Sequence, residues 1–350
     1  WDAKALADQV TNLGGSLTSW ASRSMTGVGI DFPVEQLIDG LGFLEAALLQ
    51  PRFELRDISQ VRESILEEER LLPDSPERIA WRKLTATLLA PHPFSLPPQG
   101  DEQSLGRLDS SRLRRLHRSL MSPENLVVGV VGDVDPDRIL ERLVAMLEAL
   151  KPGPSLLKKR RDVRWPKKDS QILLRAGREQ AQVLVGWRGC RFLDEDYAAM
   201  NIAEELLAGQ GGRLFMELRE KHSLAYAVSA DHIPGWDPGM FAVSVATEPA
   251  RVEEAASRLR AEMAVLAQCA PDEGEIQRAR LQVRGNRARG SQRASSRAYR
   301  LAFLERIGLP HQEAEATVMR QLEAVDADAV SAAVRRRLEE GSVEVRVVPE

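Results

Sequence analysis

Only two cysteines, Cys190 and Cys269, occur in 350 residues, too few for a disulfide framework or a cysteine-based zinc site. Free cysteines of this kind are expected to be buried, reduced and structural. Histidine is almost as sparse. His92, His117, His222, His232 and His311 are scattered, and no pair stands at the i, i+4 spacing that turns two imidazoles of one helix toward a catalytic metal. His222 and His232 flank an expected strand and read as surface or supporting residues. No apolar run reaches the roughly 18 residues of a membrane span, so no membrane span is expected and the chain reads as soluble, with the compartment open between cytoplasm and periplasm. A surplus of one charge is missing too. The 48 Lys and Arg and 52 Asp and Glu are interspersed and leave a net charge of −4, which gives no basic face for nucleic acid. No Ser or Cys stands on a recognisable nucleophile turn. The glycine cluster Gly209–Arg213 lacks the Lys-Ser/Thr of a phosphate loop and follows a helix, so a tight turn is its expected role.

What is present is a chain of helices and strands with ordinary apolar content, 43%, long enough for two domains. It opens on Trp1 within an amphipathic helical pattern that has no signal-peptide character. The expectation is therefore that an upstream segment is missing, with room for a signal peptide on a longer protein. Leu17–Phe32 reads as a strand or hairpin after Gly14-Gly15. Helices are expected from Pro33 to Leu49, from Asp57 to Arg70 and from Pro76 to Leu89. The apolar run Asn125–Asp133 is expected to be a buried strand, and Asp135–Leu150 a helix.

Lys151–Lys168 combines prolines with a basic cluster and reads as a linker. The expected organisation is a first α+β domain over 1–155, a linker over 156–168 and a second domain over 169–350. That second segment shows a strand at Ala181–Trp187, helices at Asp194–Leu207 and Arg213–Lys221, and strands at Leu224–His232 and Gly239–Thr247. Long helices are expected over Ala250–Gln268 and Asp272–Ile307, with a closing strand at Ser342–Val348. The plan repeats weakly along the chain, with an acidic residue at the start of each long helix, near Asp57 and at Glu273. The fold class expected is α+β, as two similar domains, each a mainly antiparallel sheet with helices packed on one face.

The most specific motif is Gly211-Gly-Arg-Leu-Phe-Met-Glu-Leu-Arg-Glu-Lys-His-Ser-Leu-Ala-Tyr-Ala-Val-Ser229. It resembles the second-domain signature of pitrilysin/insulinase-family zinc metallopeptidase halves, in which a helix ends in Leu-Arg-Glu-Lys and a strand begins with Leu-Ala-Tyr. The resemblance extends over Gly14-Gly-Ser-Leu17, Ser22-Arg23, Leu66-Glu-Glu68, Asp74-Ser-Pro-Glu77, Pro123-Glu-Asn-Leu and Val131-Gly-Asp133, and so over nearly the whole chain. It implies a mitochondrial processing peptidase-like metallohydrolase fold. Active halves of the family hold zinc with an inverted H-x-x-E-H helix and a downstream Glu. Laid on this chain without gaps, the pattern puts Glu68 at the downstream ligand position and the H-x-x-E-H helix just before Trp1. Val61 stands at the second acidic position, Thr18 where active halves carry Asn, and Ser24 where they carry Glu.

These departures resemble the non-catalytic, C-terminal half of a long member or the inactive subunit of a pair, with Glu68 a relic or salt-bridge residue and no metal bound by this chain. The resemblance implies a clamshell of two halves around a peptide, zinc in the partner catalytic half, and an Arg and a Tyr offered from the inactive half. Here these are Arg219 and Tyr226, with Gly211 and Gly212 forming the turn nearby. Both types suit a developing oxyanion, because a phenol and a guanidinium donate hydrogen bonds to it. Three alternatives stand beside this reading: a scaffold subunit that cleaves nothing, a truncated active half, and a regulatory peptide-binding module.

Overall fold

The protein is described from a computed structural model over residues 2–156, 163–176, 179–208, 211–309 and 311–350, the side chains of 311–314 aside. The middle of the expected linker, 157–162, lies outside the described residues. Two units emerge, one formed by residues 1–64, 101–159 and 288–312, the other by 65–100, 160–287 and 313–350. Each is mixed α and β.

In the first unit the antiparallel hairpin of β1 (Ser16–Ala21) and β2 (Thr26–Asp31) pairs Leu17 with Ile30 and Trp20 with Gly27. Val28 and Ile30 of β2 pack against a small core of Leu41, Leu44, Ile139, Leu143 and Met146. That core is supplied by the Leu37–Leu49 and Pro136–Leu147 helices. Asp135 caps the second of these by accepting from the amides of Asp137 and Arg138, which satisfies donors that the first turn leaves free. The expected helix at Asp57 starts earlier, at Leu55, so Asp57 lies in its first turn, where its charge still favours the helix dipole.

Two sequence-based expectations are overturned. Leu126–Asp133 is not a strand, and Val127, Val128 and Val130 are 37%, 45% and 41% exposed. An apolar run signals a tendency to be covered, but a strand also needs a neighbour for its backbone, and no described strand pairs with this one. The segment is instead anchored at its start, where the Asn125 amide donates to the carbonyls of Ser119 and Pro154 and its carbonyl accepts from Leu156. The single long helix expected over Asp272–Ile307 is two, Glu273–Gly290 and Ala294–Arg306, broken at Ser291-Gln292-Arg293.

The second unit is built on a five-stranded sheet in the order β3-β7-β4-β6-β5, with β3 at Ser170–Arg175, β4 at Ala181–Arg188, β5 at Ala227–Ile233, β6 at Met240–Thr247 and β7 at Val343–Val348. Every pairing is antiparallel except that of β3 with β7. On one face Val183, Val185, Trp187, Phe241, Val243 and Val245 meet the Tyr197–Leu207, Val252–Gln268 and Ala327–Leu338 helices. On the other, Leu184, Ala242, Val343, Val345 and Val347 are covered by the Pro76–Leu88 helix.

That covering helix illustrates how local signals and packing agree. Ser75 caps it and Pro76 occupies its first turn, where a missing N–H costs nothing. Ala80, Leu84 and Leu88 then fall on one stripe and are fully buried. Leu84 sits over Gly186 of β4, where a Cβ would come within 2.7 Å of its methyl carbons. Each such leucine contributes about 1.5–3 kcal/mol by leaving water.

Of the two cysteines, Cys190 is buried and Cys269 is exposed. Cys269 terminates the Val252–Gln268 helix, and the chain leaves the core at that point. Burial pushes the Cys190 thiol up to about 11, despite a hydrogen bond from Arg337 Nη2 at 3.2 Å. Cys190 is therefore an inert thiol at neutral pH. No helix among the described residues is long and apolar enough to cross a membrane.

Candidate functional site at the helix-to-strand junction 211–227

The motif singled out in the sequence forms one continuous junction of the second unit. It starts from a turn of which Gly211 and Gly212 are described, while Gly209 and Gln210 lie outside the described residues. A Cβ on Gly212 would stand 2.0 Å from the Ala208 carbonyl oxygen and 2.5 Å from that of Leu207, whereas one on Gly211 would meet nothing within 4 Å. The close backbone approach requires glycine only at 212.

The chain then enters a π-helical segment, Phe215–Lys221, rather than the ordinary α-helix expected. Leu214, Leu218 and Leu224 are buried and fix it to the core, which leaves Met216 and Arg219 on the solvent side. A π turn spaces side chains differently from an α turn and is frequent at functional sites. The Arg219 guanidinium lies over the Phe215 ring at 5.0 Å. It makes no hydrogen bond or ion pair with a described residue, so none of its N–H donors is spent on one.

The neighbouring cations are in a different state. Arg213 is bidentate on Glu275 at 2.8 and 2.7 Å. Glu217 receives Lys221 at 2.8 Å, His222 at 3.1 Å and Arg258 at 3.3 Å, and the Lys221 hydrogen bond is the main reason its carboxyl is held below the usual range. Arg251 meets Glu254 at 3.2 Å. Glu262 is pushed upward, chiefly by burial.

From the π turn the chain reverses through His222 and Ser223, the latter at φ +49°. Tyr226 follows, its amide bonded to the Ala246 carbonyl at 3.0 Å and its side chain 55% exposed. Its hydroxyl reaches Glu248 Oε1 only at 3.5 Å, the long limit of a hydrogen bond. Arg219 and Tyr226 are thus borne by the two sides of one junction, each solvent-facing and held by regular backbone.

The other expected residues do different things. Glu68 is exposed on the Leu55–Arg70 helix and makes no ion pair with a described residue, while its neighbour Glu69 pairs with Arg82. His232 is not a surface residue but 93% removed from solvent, since its exposure is 7%. No group of three His, Cys, Asp or Glu among the described residues is arranged to hold a metal ion, so these residues do not fit zinc. Thr247 and Arg251, which hold the junction, carry no motif of their own in the sequence and were not legible there, while Phe215 lies within the 211–229 motif without a role that its sequence position announces.

The chain's residues 107–283, about half its length, match the family model of the peptidase M16 inactive domain. An uncharacterized zinc protease of Streptomyces coelicolor is 30% identical over 240 residues, an overlap of 67% of this chain and 52% of that protein. The chain thus spans about half the length of that relative. Among solved structures, a peptidase M16 inactive domain from Pseudomonas fluorescens superposes with a TM-score of 0.91 at 22% identity, over 100% of this chain and 84% of that one. The periplasmic protease PqqL of Escherichia coli does so with a TM-score of 0.78 at 14% identity, over 99% of this chain and 39% of that one. At these identities the structures establish the fold, and the family match, together with the motif resemblance, establishes kinship: this chain belongs to the peptidase M16 inactive-domain family of the pitrilysin/insulinase-type zinc proteases.

Proposed function

We propose that the chain is the substrate-binding, non-catalytic half of a zinc metalloendopeptidase that degrades or processes peptides. In this reading an H-x-x-E-H half, fused or separate, holds the zinc, and Arg219 and Tyr226 serve its site from across the substrate. The organisation into a first peptidase-like domain over 1–155 and an Arg/Tyr-bearing domain over 169–350 is part of the same reading.

The observation that carries it is electrostatic. Of five cations on or beside the junction, Arg213, Lys221, Arg251 and Arg258 each meet a carboxylate, while the described surroundings of Arg219 offer it only the face of Phe215. A guanidinium held by its face keeps its N–H edge available. Tyr226 is in a comparable state, because its contact to Glu248 is long enough to be exchanged at small cost. When water adds to a scissile carbonyl, negative charge develops on the oxygen, and two donors already in place stabilise it without reorganising. Peptide binding comes from the clamshell and orientation from these donors.

The test is turnover of a fluorogenic peptide by the complex with the catalytic half. Tyr226→Phe removes one donor and keeps the ring, and the expected loss is about 10²-fold in kcat with KM little changed. Arg219→Lys is costly for a related reason, since an ammonium cannot reproduce the planar fork. Full turnover by both variants refutes the proposal and favours a scaffold role.

A further inference from the structure

We propose that Arg251 is a positioning residue for the Arg219–Tyr226 junction, acting by capping the reversal at His222 and Ser223. The proposal rests on the function just assigned to that junction. The reversal is a demanding piece of backbone. Ser223 has a β-carbon and adopts φ +49°, a conformation that persists only where the surroundings over-determine it. The end of the π-helical segment also leaves carbonyl groups without helical partners.

The segment Thr247–Arg251, which starts at the last residue of β6, supplies those partners one after another. Thr247 Oγ1 donates to the Leu224 carbonyl at 2.6 Å. Arg251 Nη1 donates to the Ser223 carbonyl at 2.9 Å and Nη2 to the His222 carbonyl at 3.2 Å. Glu248, between them, accepts from the Tyr226 hydroxyl. Inside the turn, the Ser223 amide donates to the Arg219 carbonyl at 3.0 Å and the Leu224 amide to the Leu218 carbonyl at 2.7 Å. One guanidinium therefore spans two consecutive carbonyls exactly where the backbone is strained, and the bonds it stabilises include the one made by Arg219's own carbonyl.

The fork geometry is specific to arginine. A lysine ammonium at 251 is a single point of charge and cannot span both oxygens in the plane that the guanidinium occupies. Arg251 is itself anchored by Glu254 at 3.2 Å, so it approaches the turn in a set orientation. The hydrogen bonds of Arg251 go to the His222 and Ser223 carbonyls and to Glu254, not to the Arg219 or Tyr226 side chains, so its effect on them passes through the backbone between them. A shift of about 1 Å at such a junction is enough to cost on the order of 10²-fold in rate.

Two readouts separate this proposal from the function it rests on. The first needs no activity: hydrogen exchange at the Ser223 and Leu224 amides of the isolated chain is expected to rise about 10-fold or more in Arg251→Ala, with the β6 amides unchanged. The second is kinetic, in the complex with the catalytic half. Arg251→Ala is expected to lower kcat about 10-fold to 100-fold with KM nearly constant, and Arg251→Lys to recover only part. That loss should shrink severalfold in a Tyr226→Phe, Arg219→Lys background, because the clamp then positions donors that are already gone. Unchanged exchange at Ser223 and Leu224 in Arg251→Ala overturns the clamp outright. Raised exchange with an undiminished kcat loss in the double background overturns its positioning role. Raised exchange when Tyr226→Phe and Arg219→Lys retain full turnover leaves the clamp standing and removes the function.

Discussion

Replacing His232 by Phe is expected to change the sign of the protein's response to mild acid. His232 lies on β5 with its ring between Tyr197, at 5.6 Å, and Phe241, at 6.4 Å. Neither ring nitrogen has a hydrogen-bond partner among the described residues. Burial, with a smaller contribution from the Arg337 guanidinium, pushes its pKa down from 6.5 to about 4. The unfolded chain thus takes up this proton below pH 6.5 while the folded chain resists it until about pH 4. The contribution to stability is complete above pH 6.5 and is lost as pH falls through that window. The 2.5-unit depression corresponds to about 3 kcal/mol over the whole window.

Glu204 works in the opposite direction. Its carboxylate accepts from the His232 amide at 3.0 Å, yet burial dominates and pushes its pKa up to about 7 from 4.5. The folded state therefore holds this proton longer than the unfolded one. Its contribution is complete below pH 4.5 and is lost as pH rises through 7. Because the group is partly solvated, its magnitude is smaller than that of His232. Between pH 4.5 and 6.5 the two slopes oppose, and these two groups together contribute only their difference to the parent protein. His232→Phe keeps the aromatic packing, removes two unpaired buried nitrogens and deletes one slope. In urea unfolding at pH 7.5, 5.5 and 4.2, the variant should gain about 3 kcal/mol on the parent from the highest pH to the lowest. A difference between variant and parent that stays constant across the three conditions refutes the reasoning.

Other expectations follow from the same geometry. Gly212→Ala forces a β-carbon against two carbonyl oxygens and should cost several kcal/mol or abolish folding of the second unit, while Gly211→Ala should stay within about 0.5 kcal/mol of the parent by urea midpoint. Leu84→Ala opens a cavity over Gly186 and should cost about 2–5 kcal/mol in the same measurement. Because no described cluster has the makings of a metal site, the purified chain alone should carry far less than one zinc per molecule by metal analysis and cleave no peptide; one tightly bound zinc contradicts this.

The fold was most legible where a local pattern has a single interpretation. β4 and β6 are apolar runs buried on both faces, and their length and β-branched content mark them as central strands. The turn before β1 was marked by Gly14, at φ +67°. Legibility fails where the outcome depends on a distant partner. Leu126–Val131 has the composition of a buried strand without a described neighbour to pair with. β3 was missed because it is a half-exposed edge strand at the end of a basic, proline-rich stretch, held in register by β7, 173 positions away at Ser170 and Val343. Nothing in Pro76–Leu88 indicates that its leucines cover a sheet whose described strands begin at Ser170.

The same division runs through the site itself. Arg219 and Tyr226, the pair proposed for the site, could be named from the sequence because they lie within one continuous motif. What fixes them does not: the carbonyls of the 222–224 turn are satisfied by Thr247 and Arg251, 23 to 29 positions further on. A donor on a flexible turn must be ordered again in each transition state, whereas a donor on a capped turn has been ordered once, during folding, at the expense of folding stability. The strain at Ser223 and the arginine fork across it are the two sides of that exchange. If the proposed roles hold, the residues governing turnover need not be those nearest the substrate, and a chain retaining the Arg–Tyr motif while losing the arginine at 251 is expected to keep the appearance of the site without its rigidity.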